Sequence, residues 1–163
     1  DHTDFTPLHY NMYYTNNLTT VKCLVEHGAD YQQKSINYQG GSPYHSSVTP
    51  LEMAEQIQAD FSQSIQKPRF HYYNQGRTEI IHYLATQMLF DSIKKGAIEK
   101  VKEALSKGAN IQALEYIRED SNYQNIKFTP LHFAVYFNQP EIVQLLLEQG
   151  ASAEALIETN NNA

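Results

Sequence analysis

Apolar residues recur at helical spacing in several short stretches, and each stretch is bounded by signals for the start and the end of a helix. The stretch Glu141–Leu147 places its apolar side chains on one helical face, and Pro140 marks its first turn. A Thr-Pro pair, which supplies an N-cap hydroxyl and a φ angle suited to the first helical position, begins at Thr6, Thr49 and Thr129. Glycine, which often ends a helix in the left-handed conformation, follows at Gly28, Gly108 and Gly150. The pattern predicts pairs of short helices, neither of which can bury its apolar face alone.

A dispersed motif returns along the chain at nearly constant spacing. The tetrapeptide Thr-Pro-Leu-His occupies 6–9 and 129–132, and the copy at 49–52 differs only in its last residue. That residue is Glu52, which is placed to form a capping box with Thr49. The glycine follows the threonine by 22 residues in the first unit and by 21 in the last, so the first unit carries one extra residue.

These units resemble ankyrin repeats, whose signature is Thr-Pro-Leu-His, an alanine two residues on, Glu-Ile-Val, a leucine cluster and Gly-Ala-Asp. The last unit, Thr129–Ser152, matches almost throughout, whereas the first has Asn11 where the family has alanine. A third unit lacks the tetrapeptide but retains Gly96, Glu99, Val101, Leu105 and Gly108. The resemblance implies an all-α ankyrin-repeat solenoid of about four irregular helix-turn-helix repeats, with two extended inter-repeat hairpins and one insertion.

The spacing suggests one ankyrin-repeat domain over residues 1–163. Its repeats are expected near 5–37, 48–87, 87–127 and 128–157, and the second contains the insertion 58–75. The chain begins with aspartate rather than methionine and is expected to be a fragment of a longer protein. After the last repeat, Leu156 and Ile157 either fold back as a cap or lead into further sequence.

Two arrangements are open for residues 79–95, where a second-helix pattern runs directly into the next apolar stretch. A tight turn near Thr86 would join two helices and would keep Gly96 and Gly108 at repeat spacing. Alternatively, one continuous helix covers the segment, because it contains no Gly, Pro or Asp at which a hairpin could form before Asp91. We favour the turn.

Composition excludes several classes of protein. The single cysteine, Cys23, cannot form an intramolecular disulfide or a thiolate zinc cluster, so a reducing, cytoplasmic compartment is expected. A net charge of −6 argues against nucleic-acid binding. Apolar runs such as Phe133–Phe137 are far shorter than the roughly 20 residues of a membrane-spanning helix.

No residue pattern indicates catalysis, a metal site or a cofactor. In ankyrin repeats, the tetrapeptide histidine bonds backbone between neighbouring repeats, which implies structural roles for His9 and His132. Cys23 and His27 lie four residues apart and could form a thiol–base pair, but the sequence places no third group to orient them. We therefore predict a non-catalytic chain without a small-molecule substrate.

Tyrosine is abundant, with 12 residues, and is enriched where proteins contact partners. The family's contact positions are the residue before Thr-Pro and the last two residues of the first helix. The resemblance carries these positions onto Phe5, Tyr13, Tyr14, Lys94, Lys95, Phe128, Tyr136 and Phe137, and in the second repeat onto Val48, Gln56 and Ile57. The insertion adds a basic and aromatic cluster, Arg69, Phe70, Tyr72 and Tyr73. These rings alternatively pack internally against the extended hairpins, whose apolar residues include Tyr116 and Ile117.

The leading hypothesis is a protein–protein interaction module that binds another protein through its concave face, hairpin tips and insertion. A narrower form is the ankyrin region of a secreted bacterial effector that acts on a host protein in the host cytosol. The alternative is a targeting or regulatory arm of a larger enzyme whose catalytic domain lies outside this chain. A structural segment that self-associates through uncapped ends is the third class, although a monomer is expected.

Overall fold

The computed structural model describes residues 5–35, 47–63, 71–117 and 126–159, with the backbone alone for 61–63, 71–75 and 159. The chain divides into two compact units, residues 1–84 and 85–163. The helices are α1 (Pro7–Tyr10), α2 (Leu18–Glu26), α3 (Pro50–Gln63), α4 (His71–Lys94), α5 (Ile98–Ser106), α6 (Pro130–Tyr136) and α7 (Pro140–Glu148). The predicted all-α, helix-turn-helix class is confirmed.

Helix starts follow the predicted capping chemistry. The Thr49 N–H donates to the Glu52 carboxylate at 2.7 Å, and the Glu52 N–H donates to Thr49 Oγ1 at 3.2 Å, so the predicted capping box is confirmed. In α1 and α6 a histidine takes the place of the glutamate, and its side chain bonds back to the N-cap threonine. The motif therefore satisfies the N-cap and N3 N–H groups at the start of these helices.

Helix ends also follow the sequence. Gly28, Gly108 and Gly150 have φ angles of +90°, +84° and +91°, which confirms the predicted left-handed caps. After α2, the Gly28 N–H donates to the Val25 carbonyl and the next N–H donates to the Leu24 carbonyl at 2.9 Å. A side chain at Gly28 would be strained by this backbone conformation rather than by crowding, because nothing lies within 4 Å of its added Cβ.

The predicted turn near Thr86 is wrong, because α4 runs without interruption from His71 to Lys94. Thr86 is buried, and its Oγ1 accepts a hydrogen bond from the Asn110 N–H at 2.8 Å, so it is not available to cap a new helix. Helices occupy both ends of the predicted insertion 58–75, since α3 extends to Gln63 and α4 begins at His71.

In the first unit, a buried histidine joins α1 to the segment before α3. The His9 Nε2 lies 2.9 Å from the Val48 carbonyl oxygen, and its Nδ1 lies 2.8 Å from Thr6 Oγ1. Because Nδ1 also accepts from the Thr6 N–H, the neutral ring with its proton on Nε2 satisfies both sides. The structural role predicted for His9 is confirmed. The buried apolar side chains of the first unit include Leu8, Met12, Val21, Leu51, Ala54, Ile57, Ile80 and Leu84.

The second unit has its own core, centred on Phe133. The Phe133 ring meets Phe90 edge-on with centroids 4.7 Å apart. Further buried side chains are Leu89, Ile93, Val101, Ala104, Ile117, Ile142 and Leu146. Ile117 is fully buried, so it anchors the extended hairpin between α5 and α6 as the sequence suggested.

A small antiparallel sheet lies in the described part of the second unit; its first two strands fall within the predicted extended hairpin, whereas its third strand was not predicted. It comprises β1 (Glu115–Tyr116), β2 (Ile126–Phe128) and β3 (Glu158–Thr159) in that order. Glu115 pairs with Phe128, and Lys127 pairs with Glu158. The tail pairs with β2 through its backbone, and Leu156 remains 85% exposed, so the alternative in which Leu156 and Ile157 fold back as an apolar cap is not observed.

No helix in the described ranges combines the length and the apolar character that crossing a membrane requires.

Acidification is expected to destabilise the first unit through His9. Burial lowers the pKa of His9 from its ordinary value of 6.5, against the smaller opposing effect of the Val48 carbonyl. Below pH 6.5 the unfolded chain therefore binds a proton that the folded chain does not. The free energy of unfolding is therefore highest above pH 6.5, and it decreases as the pH falls from 6.5 towards the lower pKa of His9 in the folded protein.

Urea denaturation between about pH 7 and pH 5 tests this expectation. His9→Gln should weaken the pH dependence, whereas His27→Gln, which changes an exposed imidazole, should retain it. If His9→Gln does not fold, a ¹⁵N NMR titration of wild-type His9 gives the answer directly. A folded-state pKa at or above 6.5 would contradict the expectation.

Candidate functional site

Three tyrosines of the first unit form an exposed cluster of contacting rings, here called the tyrosine ladder: Tyr10, Tyr13 and Tyr14. The ring centroids of Tyr10 and Tyr14 are 4.4 Å apart, and those of Tyr13 and Tyr14 are 4.6 Å apart. Their exposed fractions are 56%, 38% and 57%, respectively. Phe5 lies beside the ladder, with its ring 6.2 Å from Tyr13 and 5.8 Å from His9. The structure thus brings together three predicted contact residues and adds Tyr10.

A π-turn over Asn11–Thr15 follows α1 and carries two rungs of the ladder. The Asn16 N–H donates to the Asn11 carbonyl at 2.8 Å, a bond that closes a turn one residue wider than an α-turn. Asn16 then takes a left-handed conformation, with φ of +47°. The extra residue counted in the first unit is therefore accommodated here.

Buried polar side chains support this turn. Asn11 lies where the family has alanine; its Oδ1 accepts from the Asn17 N–H at 3.1 Å, and its Nδ2 donates to the Asn17 carbonyl at 3.3 Å. Arg77, which is buried, donates to Asn16 Oδ1 at 3.2 Å and to the Met12 carbonyl at 3.3 Å. The guanidinium thus bonds a backbone carbonyl of the π-turn and the residue that ends it.

Comparison with the last repeat identifies the inserted position. Both turns end at a left-handed asparagine, Asn16 or Asn138. Counted back from it, Tyr14 corresponds to Tyr136, and Tyr13 corresponds to Val135. Met12, which is fully buried, then has no counterpart, so it is the extra residue and it contributes to the core. Tyr13 and Tyr14 are therefore displaced by one position relative to the count from Thr-Pro.

The second unit holds a separate aromatic cluster, which surrounds the buried Phe133. Tyr136 is 44% exposed and meets Phe137 edge-on at 4.9 Å. Phe137 is half-buried and lies 6.0 Å from Phe133, and Phe128 lies 6.5 Å from the same ring. These two phenylalanines contribute to internal packing, whereas Tyr136 presents its ring to solvent.

Two predicted lysines lie at the end of α4. Lys94 is its last residue, with Nζ 5.8 Å above the centre of the Phe133 ring, a distance suited to a cation–π contact. Lys95 is exposed in the turn that follows. Lys94 therefore places a positive charge against this cluster, whereas the tyrosine ladder consists of uncharged side chains.

The contact positions predicted in the second repeat and in the insertion form no exposed surface within the described part of the chain. In the second repeat, Val48 and Ile57 are buried, and α3 continues beyond Ile57 to Gln63, so the helix end predicted at Gln56 and Ile57 is wrong. Arg69 and Phe70 lie outside the described residues. Tyr72 and Tyr73 belong to α4, but their side chains are outside the described part. A contact surface continuous over both units remains a prediction.

The nominal thiol–base pair lacks the geometry for catalysis. Cys23 Sγ lies 3.8 Å from His27 Nδ1, but the same nitrogen lies 2.7 Å from the Cys23 carbonyl. A nitrogen that donates its proton to a carbonyl cannot also accept the thiol proton. Within the described ranges, no three His, Cys, Asp or Glu side chains are grouped as metal ligands would be.

Sequence reasoning missed Tyr10 and Val135, which are 56% and 64% exposed. Tyr10 directly follows the buried Leu8-His9 pair and precedes Tyr14 by four residues. That spacing places side chains on one helical face, and it was the available signal.

Two comparisons with protein-family models identify the repeats. A model described as ankyrin repeats (three copies) matches residues 74–157, and a model described as ankyrin repeat matches residues 3–36. No curated protein matches the chain at a significant level.

Replacing Arg77 by leucine is expected to lower the free energy of unfolding by about 2–4 kcal/mol. The Met12 carbonyl and the Asn16 side chain would each lose a charged donor inside the protein. Arg77→Lys should not restore the loss, because an ammonium cannot reproduce the planar guanidinium. Urea denaturation measures the stability, and NMR of the tyrosine rings reports on the ladder.

The matched control is Lys34→Leu, which removes an exposed cation and should change stability by less than about 0.5 kcal/mol. An Arg77→Leu protein with wild-type stability and unchanged signals from Tyr13 and Tyr14 would show that the π-turn does not depend on this arginine.

Proposed function

The chain belongs to the ankyrin-repeat family, and from that premise we propose that it is a non-catalytic module that binds a partner protein through the tyrosine ladder. Ankyrin repeats are generally protein–protein interaction modules. The proposal adds a place and a chemistry to that general role: a stack of exposed, uncharged aromatic rings in the first unit.

The observation that carries the proposal is the combination of close ring contact with high exposure. Tyr10 and Tyr14 lie 4.4 Å apart, yet more than half of each side chain is open to solvent. Stacked rings present a large, stiff surface that loses little conformational entropy on binding, and their hydroxyls can form hydrogen bonds to a partner. Clustered exposed aromatics of this kind are typical of binding sites.

The support beneath the ladder favours the same interpretation. Asn11 and Arg77 are polar side chains buried in the first unit, and their hydrogen bonds bind them to the backbone around the π-turn. Buried polar groups are tolerated only when they are hydrogen-bonded. Since Asn11 and Arg77 are bonded to the backbone around it, the π-turn has a defined conformation rather than an irregular one. A preorganised surface binds with a smaller entropic cost.

In the second unit, we assign a secondary contact to Tyr136 and Lys95. Tyr136 is exposed, and Lys95 follows the end of α4 near the cation that stacks on Phe133. Phe128 and Phe137, which pack internally, position these residues rather than contact the partner.

The narrower hypotheses concern where the partner is found. A bacterial effector would capture a protein from host cytosol, whereas a regulatory arm of an enzyme would capture a substrate or a catalytic domain from its own organism. Both forms of the proposal assume a cytoplasmic location. Affinity capture from both sources, with the variants below, distinguishes the two forms by the source that yields the partner.

The double variant Tyr13→Ser/Tyr14→Ser is expected to weaken partner capture by at least about tenfold, since interface tyrosines often contribute 2 kcal/mol or more. The measurement is quantitative capture, with circular dichroism and thermal unfolding to establish that the variant is folded. Leu156→Ser is the matched control, because it removes an exposed apolar side chain outside the ladder. Tyr136→Ser tests the secondary contact separately.

Equal capture by wild type and by Tyr13→Ser/Tyr14→Ser, with both folded, would rule out the ladder as the contact surface. Equal losses in the ladder variant and in Leu156→Ser would show that capture reflects general hydrophobicity instead.

A further inference from the structure

Next to the tyrosine ladder, the first unit contains an open groove with a volume of about 610 Å³. Its apolar part is formed by Phe5, Pro7 and Leu24, together with the ring of Tyr10. Its polar part includes Asn17 and Thr20. No charged side chain is among its described lining residues. A volume of this size is typical of ligand sites.

The last repeat shows how the same positions look when helices cover them. Tyr10 corresponds to Phe133, and Thr20 corresponds to Ile142, as counted from the shared Thr-Pro and Gly-Ala motifs. Both counterparts are buried core residues of the second unit, where Phe90 packs on Phe133 at 4.7 Å. In the first unit each position instead carries a hydroxyl group.

This difference bears on what the groove can accept. Among the described residues, no hydrogen bond joins the Tyr10 hydroxyl, the Thr20 hydroxyl or the Asn17 side-chain N–H groups to another residue. The Asn17 Oδ1 accepts from the Thr20 N–H at 3.0 Å, so this amide presents its two N–H donors and one remaining acceptor lone pair. A packed helix pair has already satisfied its own carbonyls, so it would bury these donors at a cost of about 1–3 kcal/mol each.

We propose that the groove binds a proline-rich segment of the partner protein in the polyproline II conformation. Such a segment has solvated backbone carbonyls to accept from Tyr10, Asn17 and Thr20, and its prolines bring no N–H that would need an acceptor. Proline rings pack on aromatic side chains, as Phe5 and Tyr10 would allow. The described lining is uncharged and therefore favours a segment without acidic or basic anchors. This inference rests on the proposed function, because it names the class of partner.

The test is selection of binders from a random 12-residue phage-displayed peptide library with the full 163-residue chain. The expected result is enrichment of proline over the unselected library, without a recurring charged position. The affinity of the leading synthetic peptide is then measured by fluorescence anisotropy for wild type and three variants.

Thr20→Arg places a long cation in the groove and should weaken binding by at least about tenfold, whereas Tyr10→Phe removes one hydrogen bond and should weaken it about two- to tenfold. Thr19→Arg is the matched control. It puts the same side chain on the neighbouring exposed position of α2, which does not line the groove, and should leave affinity within about twofold.

Three results would overturn the inference: selected peptides without proline enrichment, peptides that bind Thr20→Arg as tightly as wild type, or no selected peptide at all. Self-association lost in Thr20→Arg would assign the groove to a second copy of the chain instead. Partner capture that depends on Tyr13 and Tyr14 but not on Thr20 would leave the proposed function standing without this inference. Capture that depends on Thr20 alone would support the groove as a binding site and would rule out the tyrosine ladder as the contact surface.

Discussion

The His9 imidazole joins two segments of the first unit that are 39 residues apart in sequence, because it bonds Thr6 on one side and the Val48 carbonyl on the other. Neither α1 nor α2 is long enough to be stable alone, so their packing depends on contacts of this kind. The ring must be neutral to serve both partners. Helix capping, repeat stacking and pH dependence are therefore linked through one side chain.

The single additional residue of the first unit has effects beyond its own position. It widens the chain after α1 into a π-turn, moves Met12 into the core and brings Tyr14 against Tyr10. The wider turn also needs donors and acceptors that an α-turn would supply itself, and Asn11 and Arg77 provide them. One insertion thus produces both an exposed aromatic stack and its buried polar support.

The two copies of Thr-Pro-Leu-His lead to surfaces of different chemistry. In the second unit, Phe133 and Ile142 are buried in the core, and the Lys94 ammonium lies over the Phe133 ring. In the first unit, the counterparts of Phe133 and Ile142 are Tyr10 and Thr20, which carry hydroxyl groups. The shared motif determines how each helix pair is built, whereas the residues between the motif positions determine what each surface can bind.

The sequence alone determined the family, the helix starts at Thr6, Thr49 and Thr129, and the helix ends at Gly28, Gly108 and Gly150, because capping and left-handed turns depend on near neighbours in the chain. It also located most candidate aromatic residues, although not Tyr10. The tertiary structure decided the rest. Thr86 does not start a new helix because its hydroxyl oxygen accepts a hydrogen bond from the Asn110 N–H, 24 residues away. The tail pairs with β2 through backbone groups, which leave no pattern in the side chains. The tertiary structure also decided that Tyr136 is exposed whereas Phe137 is half-buried, because burial depends on which distant residues pack against each ring.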